Sequence, residues 1–321
     1  MSMFLRFFAK SFKSLLIICQ LTSFAPFYLH FTIGCDIIYE IIMIIQQSAV
    51  IDMQMFDTHV HSCYSVDSEQ PLCGIYDKAK ALGLCALSVT DHYDIDMMYS
   101  GCDEQVLTEG YTAINELRNA TADNDCKILC GIELGAAVFD ESTARRIIDE
   151  YDYDIVIGSL HGEMGKDEYY MQPWGEMSET ERQNMLCRYF EHLLNTAKLG
   201  LFDTLAHLDY PTRYVRTLGL PCDMTPYADL IDEILKTVAA SGKALEINTK
   251  GLTECYHSTQ PSPAVIKRFF ELGGKYVTFG SDAHTAERIA ADFDTAANIA
   301  RAAGFEYLTY YKQRKPVCIK I

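Results

Sequence analysis

From residue 54 onward the chain alternates between short runs of β-branched and apolar residues and longer stretches whose apolar positions recur at helical spacing. The strand-like runs cover 54–59, 85–90, 127–134, 154–160, 202–206, 244–247 and 276–280, and helical spacing covers 72–82, 105–122, 143–150, 178–199, 225–240 and 263–272. Gly83, Gly200, Gly242 and Gly273 stand just past helical runs, where a left-handed cap is wanted. Strands joined by helical crossovers run parallel, and about seven such units in succession predict an α/β barrel rather than an open sheet. Two further apolar runs, 305–311 and 317–321, predict edge strands or a terminal flap. No repeat, low-complexity run or Gly/Ser-rich linker divides this part, so residues 53–321 read as one domain.

Residues 1–52 have a different pattern. Arg6, Lys10 and Lys13 precede an uncharged run over 14–35, in the manner of a signal peptide or membrane anchor. The run is interrupted by Gln20, Thr22, Ser23, Pro26, His30 and Thr32, and no small-x-small cleavage site stands out. Met53 and Met55 directly precede the first strand, so a start assigned too far upstream accounts for the composition equally. The stretch is an N-terminal extension with these readings open: a spurious start or disordered segment, an anchor or signal, or a helical addition.

Composition narrows the partners. The 321 residues carry a formal net charge of −17, which repels nucleic acid and anionic membrane surfaces at long range. An anionic substrate would need a local attraction, and bound cations are the obvious source. Cys85, Cys126, Cys130 and Cys187 are scattered through apolar stretches without a disulfide framework, which fits reduced thiols in a cytoplasmic protein.

The working face of a βα barrel lies at the C-terminal ends of its strands. There the chain places His59 and His61, followed in the loop by Asp67, then His92, Glu133, His161, His207 with Asp209, and Asp282 with His284. Six of the nine histidines are at strand ends, and His30, His192 and His257 are elsewhere. His59 and His61, two apart on an extended strand, face the same side and can reach one ion. Any one of these residues alone would be an ordinary hydrogen-bonded strand end. Six imidazoles and three of these carboxylates, Asp67, Glu133 and Asp282, converging on one mouth are costly to bury without cations to coordinate. Mixed nitrogen and oxygen donors favour zinc, manganese or iron(II) over magnesium or calcium. Nine donor residues exceed one ion's shell, which gives two or three divalent metal ions.

The runs Asp57-Thr58-His59-Val60-His61, Thr90-Asp91-His92, Gly131-Ile132-Glu133, Gly158-Ser159-Leu160-His161, Ala206-His207-Leu208-Asp209 and Gly280-Ser281-Asp282-Ala283-His284 together resemble the polymerase and histidinol phosphatase (PHP) superfamily. The segment from Glu246 to Leu252, with Pro261-Ser262-Pro263 after it, resembles the histidinol-phosphatase branch. The resemblance implies a distorted (β/α)7 barrel and three metals. His59, His61, Glu133 and Asp282 would hold one, and Asp67, His92 and His284 a second. Glu133 would bridge to a third completed by His161 and His207. It also implies hydrolysis of a small phosphorylated substrate, L-histidinol phosphate first among them, by a water shared between metals.

This sequence departs from that branch at Thr253, where an Arg is common. Lys250 can compensate only as a point charge, whereas Arg213 offers a bidentate phosphate clamp and Arg216 is a weaker candidate. Asp209 is the expected proton donor to the leaving group, and His257 an expected lining residue of the substrate pocket. Three rival readings remain at this point. They are a PHP phosphoesterase with another phosphomonoester or a nucleotide as substrate, an amidohydrolase-type C–N hydrolase, and an accessory module of a DNA polymerase. The residues leave the oligomeric state open.

Overall fold

In a computed structural model, residues 54–95, 103–253 and 256–321 are described, and the extension over 1–52 lies outside them. Seven parallel strands follow the order β1 (Phe56–Val60), β2 (Ala86–Val89), β4 (Lys127–Gly135), β5 (Ile155–Ser159), β6 (Thr204–Leu205), β7 (Ala244–Asn248) and β8 (Tyr276–Gly280). An eighth, β3 (His92–Asp94), prolongs the line of β2 and pairs with β4, His92 opposite Glu133. Closure comes at the C-terminal ends, where the His61 amide donates to the Ala283 carbonyl at 2.9 Å and the Asp282 amide to the His59 carbonyl at 2.9 Å. The result is a mostly parallel sheet nearly closed into a barrel, with its gap bridged beside the histidines.

The helices follow from local chemistry. α1 (Leu72–Ala81), α2 (Glu104–Ala120), α3 (Glu141–Glu150), α4 (Glu179–Leu199), α6 (Ala228–Ala240) and α8 (Pro263–Glu271) match the helical runs within a few residues. Asp103 and Asp140 accept from amides of the first turns of α2 and α3. Ser178 and Glu181 form a capping box on α4, which ends at Gly200 with φ 66°. Residues 225–227 form a 3-10 turn ahead of α6, so that helix starts three residues later than its apolar spacing suggests.

Apolar spacing along the chain does not mark α5 (Thr212–Thr217), the single turn α7 (Lys250–Thr253) or α9 (Phe293–Ala303). The buried face of α9 is Phe293, Ala296, Ala297, Ala300 and Ala303, helical in period but carried by alanines with little hydrophobic contrast. The two last runs form an antiparallel hairpin of β9 (Tyr307–Lys312) and β10 (Lys315–Lys320), outside the barrel sheet. Gln313 and Arg314, both at positive φ, make its turn. Asp154, just before β5, accepts from the Gln313 amide at 2.9 Å, and the Arg314 guanidinium pairs with Asp203 before β6. The hairpin therefore braces the end of the barrel opposite the histidines. Cys126 and Cys130 are buried free thiols, whereas Cys63, Cys73 and Cys318 are exposed. No described helix is long and apolar enough to cross a membrane.

Candidate metal centre

Glu133, on β4 and 1% exposed, is the hub of the strand ends. Its Oε2 lies 3.1 Å from His59 Nε2, 3.5 Å from His61 Nε2 and 2.9 Å from His92 Nδ1. Its Oε1 lies 3.2 Å from His161 Nε2 and 2.9 Å from His207 Nε2. Asp282 Oδ1 is 3.5 Å from His61 Nε2, and Asp67 reaches His284 Nε2 at 2.8 Å and His92 Nε2 at 3.6 Å. All nine expected ligands are thus linked through short contacts at the strand ends.

The donor atoms of His59, His61 and Asp282 lie within 4.8 Å of one another, as do those of His61, His92 and His284 and those of His92, Glu133 and His161. These groupings overlap the three sets implied by the resemblance, with His61 and His92 each near two of them. His59 Nε2, His61 Nε2, His92 Nδ1 and Glu133 Oε2 are buried and make no hydrogen bond. Buried polar atoms left unsatisfied are costly, and cations at these points would satisfy them. Burial and the neighbouring His92 and His284 hold the His61 imidazole well below its usual pKa, so its lone pair is available for coordination. Burial alone would raise the Glu133 carboxyl, but the His59, His161 and His92 charges outweigh it and keep it ionised. The residues fit a cluster of divalent ions.

A further layer, which spacing alone did not single out, orients these ligands. Glu246 on β7 approaches His59 Nδ1 at 2.6 Å and accepts from the His207 amide at 2.9 Å. Asp94 on β3 meets His161 Nδ1 at 2.9 Å, and the Ser65 hydroxyl meets His61 Nδ1 at 3.1 Å. With Nδ1 occupied, each of these three rings turns Nε2 toward the centre. The backbone is shaped to allow this. A side chain at Gly280 would collide with the Glu246 carboxylate, and one at Gly135 with that of Asp94. His207 and Asp282 adopt positive φ, 23° and 51°, a strained conformation that turns both side chains out of strand register. Glu246→Gln is expected to lower metal affinity or kcat/KM by roughly 10- to 100-fold with the circular dichroism spectrum unchanged, because the amide cannot serve both partners as acceptor.

Seven of these ligands, all but the fully buried His59 and His61, line a cavity of about 490 Å³ together with Arg213 and Lys250. The Arg213 guanidinium stacks over Tyr210 at 4.5 Å and Tyr214 at 4.8 Å and donates through Nη2 to the Tyr214 hydroxyl at 2.7 Å. Its Nε and Nη1 are buried without a hydrogen-bond partner. Lys250 Nζ contacts Asp282 Oδ1 at 3.1 Å and His284 Nδ1 at 3.2 Å.

Three residues expected at the site, Asp209, His257 and Arg216, stand apart from the cavity lining. Asp209 is buried and does not line this cavity; its Oδ2 accepts from the Tyr256 hydroxyl at 3.1 Å, and burial pushes its carboxyl up to about 6. The chain turns into α5 directly after it, with its carbonyl capping the Thr212 amide, and this carries the side chain away from the mouth. His257 is exposed and likewise absent from the lining. Arg216 packs on Tyr256 at 5.3 Å rather than in the cavity.

Residues 57–250, more than half of the chain, match the model of the PHP domain. The chain belongs to the PHP family. Among relatives of this PHP protein, a histidinol-phosphatase of Lactococcus lactis is 30% identical over 270 residues, covering 82% of this chain and 96% of that protein. A probable histidinol-phosphatase of Clostridium acetobutylicum is 29% identical, covering 81% and 98%. The crystal structure of the Lactococcus lactis histidinol phosphate phosphatase, complexed with zinc, L-histidinol and phosphate, superimposes on this PHP barrel with a TM-score of 0.71 at 28% identity, over 82% of this chain and 99% of that one.

Proposed function

We propose that this PHP chain is a metal-dependent phosphomonoesterase that hydrolyses L-histidinol phosphate to L-histidinol and phosphate. The observation that carries the reading is the Glu133-centred cluster of histidines and carboxylates, on a barrel similar to one complexed with zinc, L-histidinol and phosphate. In this reading His59, His61, Glu133 and Asp282 hold one ion, Asp67, His92 and His284 a second, and Glu133 with His161 and His207 a third, with zinc favoured. Bound ions would supply Lewis acidity and lower the pKa of a coordinated water toward neutrality.

The chain's own residues position the ester. Arg213, stiffened between two tyrosines at the cavity wall, offers a planar guanidinium to phosphate oxygens, and Lys250 adds a point charge beside Asp282. Glu246, Asp94 and Ser65 keep the imidazoles in fixed tautomers through turnover. Residues 53–321 form the catalytic unit, preceded by the extension over 1–52, and the buried thiols of Cys126 and Cys130 suit a cytoplasmic setting.

A panel of phosphate esters tests the assignment. Zinc-loaded protein is expected to release phosphate from L-histidinol phosphate with a kcat/KM at least tenfold above that for sugar phosphates and nucleotides. Equal rates across the panel would sink the histidinol assignment and leave a broad phosphoesterase, and amide hydrolysis without phosphate release would favour the amidohydrolase class.

A further inference from the structure

Asp209 is a buried acid that the metal and phosphate assignments leave unused. It is 3% exposed, and unlike Asp94 and Glu246 it orients no imidazole among the described residues. Its Oδ2 accepts from the Tyr256 hydroxyl at 3.1 Å, and its Oδ1 is buried without a hydrogen-bond partner. A carboxylate taken out of water for so few bonds is costly to the fold. What the bond joins is the two walls of the cavity that carry Arg213 and Lys250.

Asp209 stands after β6, just ahead of α5, which carries Arg213; Tyr256 follows α7, the turn after β7 that carries Lys250. On the α5 side, the Asp209 carbonyl accepts from the Thr212 amide at 2.9 Å and from the Thr212 hydroxyl at 2.8 Å, which ties the start of the helix to Asp209. Arg216, one turn beyond Arg213, donates through Nη1 to the same Tyr256 hydroxyl at 3.3 Å and lies over its ring. Arg213 is therefore held between two residues that grip one tyrosine. On the α7 side, a side chain at Gly251 would strike the Tyr256 ring and the Ser258 carbonyl, so the glycine lets the ring lie against the turn. Gln260 adds a second tie between the same segments. Its Nε2 donates to the carbonyl of Tyr210, a ring on which Arg213 stacks, at 3.4 Å, and its backbone pairs with Asn248 at the end of β7 through two bonds of 3.0 Å.

We propose that the Asp209–Tyr256 hydrogen bond is a clasp that holds Arg213 in register with Lys250, so that one phosphate group meets both cations. Asp209 and Tyr256 are then positioning residues for phosphate. This rests on the phosphoesterase reading above and adds residues that touch neither metal nor substrate. A guanidinium grips phosphate well only within about 0.5 Å of its aligned position. α5 is six residues long, too short to keep that alignment by its own hydrogen bonds, so the ties at its two ends set it.

The test uses zinc-loaded full-length protein and Tyr256→Phe, which removes one hydroxyl and keeps the ring. Binding of inorganic phosphate is measured by isothermal titration calorimetry, and hydrolysis of L-histidinol phosphate by phosphate release. Tyr256→Phe is expected to weaken phosphate binding and raise KM by the same factor, roughly 10-fold, with kcat within about twofold and zinc content unchanged. In the Arg213→Lys background the same substitution is expected to add less than about twofold, because the clasp acts through Arg213. A merely structural bond would lower the melting temperature and leave phosphate affinity in place, and that result overturns the proposal. Full additivity of the two substitutions overturns it as well. Wild-type protein that binds phosphate but hydrolyses no ester removes the phosphoesterase reading, while the phosphate affinity of Tyr256→Phe still decides the clasp. Wild-type protein that binds no phosphate overturns both.

Discussion

Glu133→Gln is expected to lower kcat/KM for L-histidinol phosphate on the order of 1,000-fold or more, because it removes a charge that several ions would share. The substitution barely changes shape, so the far-ultraviolet circular dichroism should stay native. What changes is the electrostatics of a site where five imidazoles lie within 2.9–3.5 Å of one carboxylate. An amide oxygen is a weaker donor to a cation, and its NH2 group would turn one hydrogen-bond donor toward neighbours that must stay free to bind metal. Metal content per chain, measured on the same preparation, should fall together with activity. Wild-type turnover in the Gln variant would remove Glu133 from the centre of the account.

Arg213→Lys carries the second largest expected effect, a rise in KM on the order of 100-fold with metal content unchanged. The charge survives, but the planar fork and its stacking on Tyr210 and Tyr214 do not. Arg213 is 9% exposed, and an ammonium in place of its guanidinium would be desolvated without the five spread donors that make Arg tolerable there. Steady-state kinetics with phosphate as product inhibitor checks this, since phosphate should inhibit the variant much more weakly. An unchanged inhibition constant for phosphate would mean that the clamp lies elsewhere, with Lys250 the next residue to test.

The convergence of the nine candidate ligands was legible because strand periodicity and barrel geometry point the same way. His59 and His61 share a face by their two-residue spacing, Asp67 follows in the next loop, and the remaining donors stand at or near the ends of the other strands. The orienting groups were harder to read for distinct reasons. Asp94 sits on a three-residue strand that looks like loop in sequence, and only its pairing with β4 brings it under His161. Glu246 stands inside the apolar run Ala244-Leu245-Glu246-Ile247, where a buried carboxylate is itself a signal, but its two partners come from β1 and from the loop after β6. A strand-end carboxylate beside His207 suggests a shared face for Asp209, whereas the entry into α5 turns it toward Tyr256.

The most direct test is metal content and phosphate release measured on one preparation of the full-length protein, before and after chelation and after addition of zinc. Two or three divalent ions per chain are expected, with hydrolysis of L-histidinol phosphate lost on chelation and recovered with zinc. Undiminished phosphate release from protein shown to hold no metal would contradict the account.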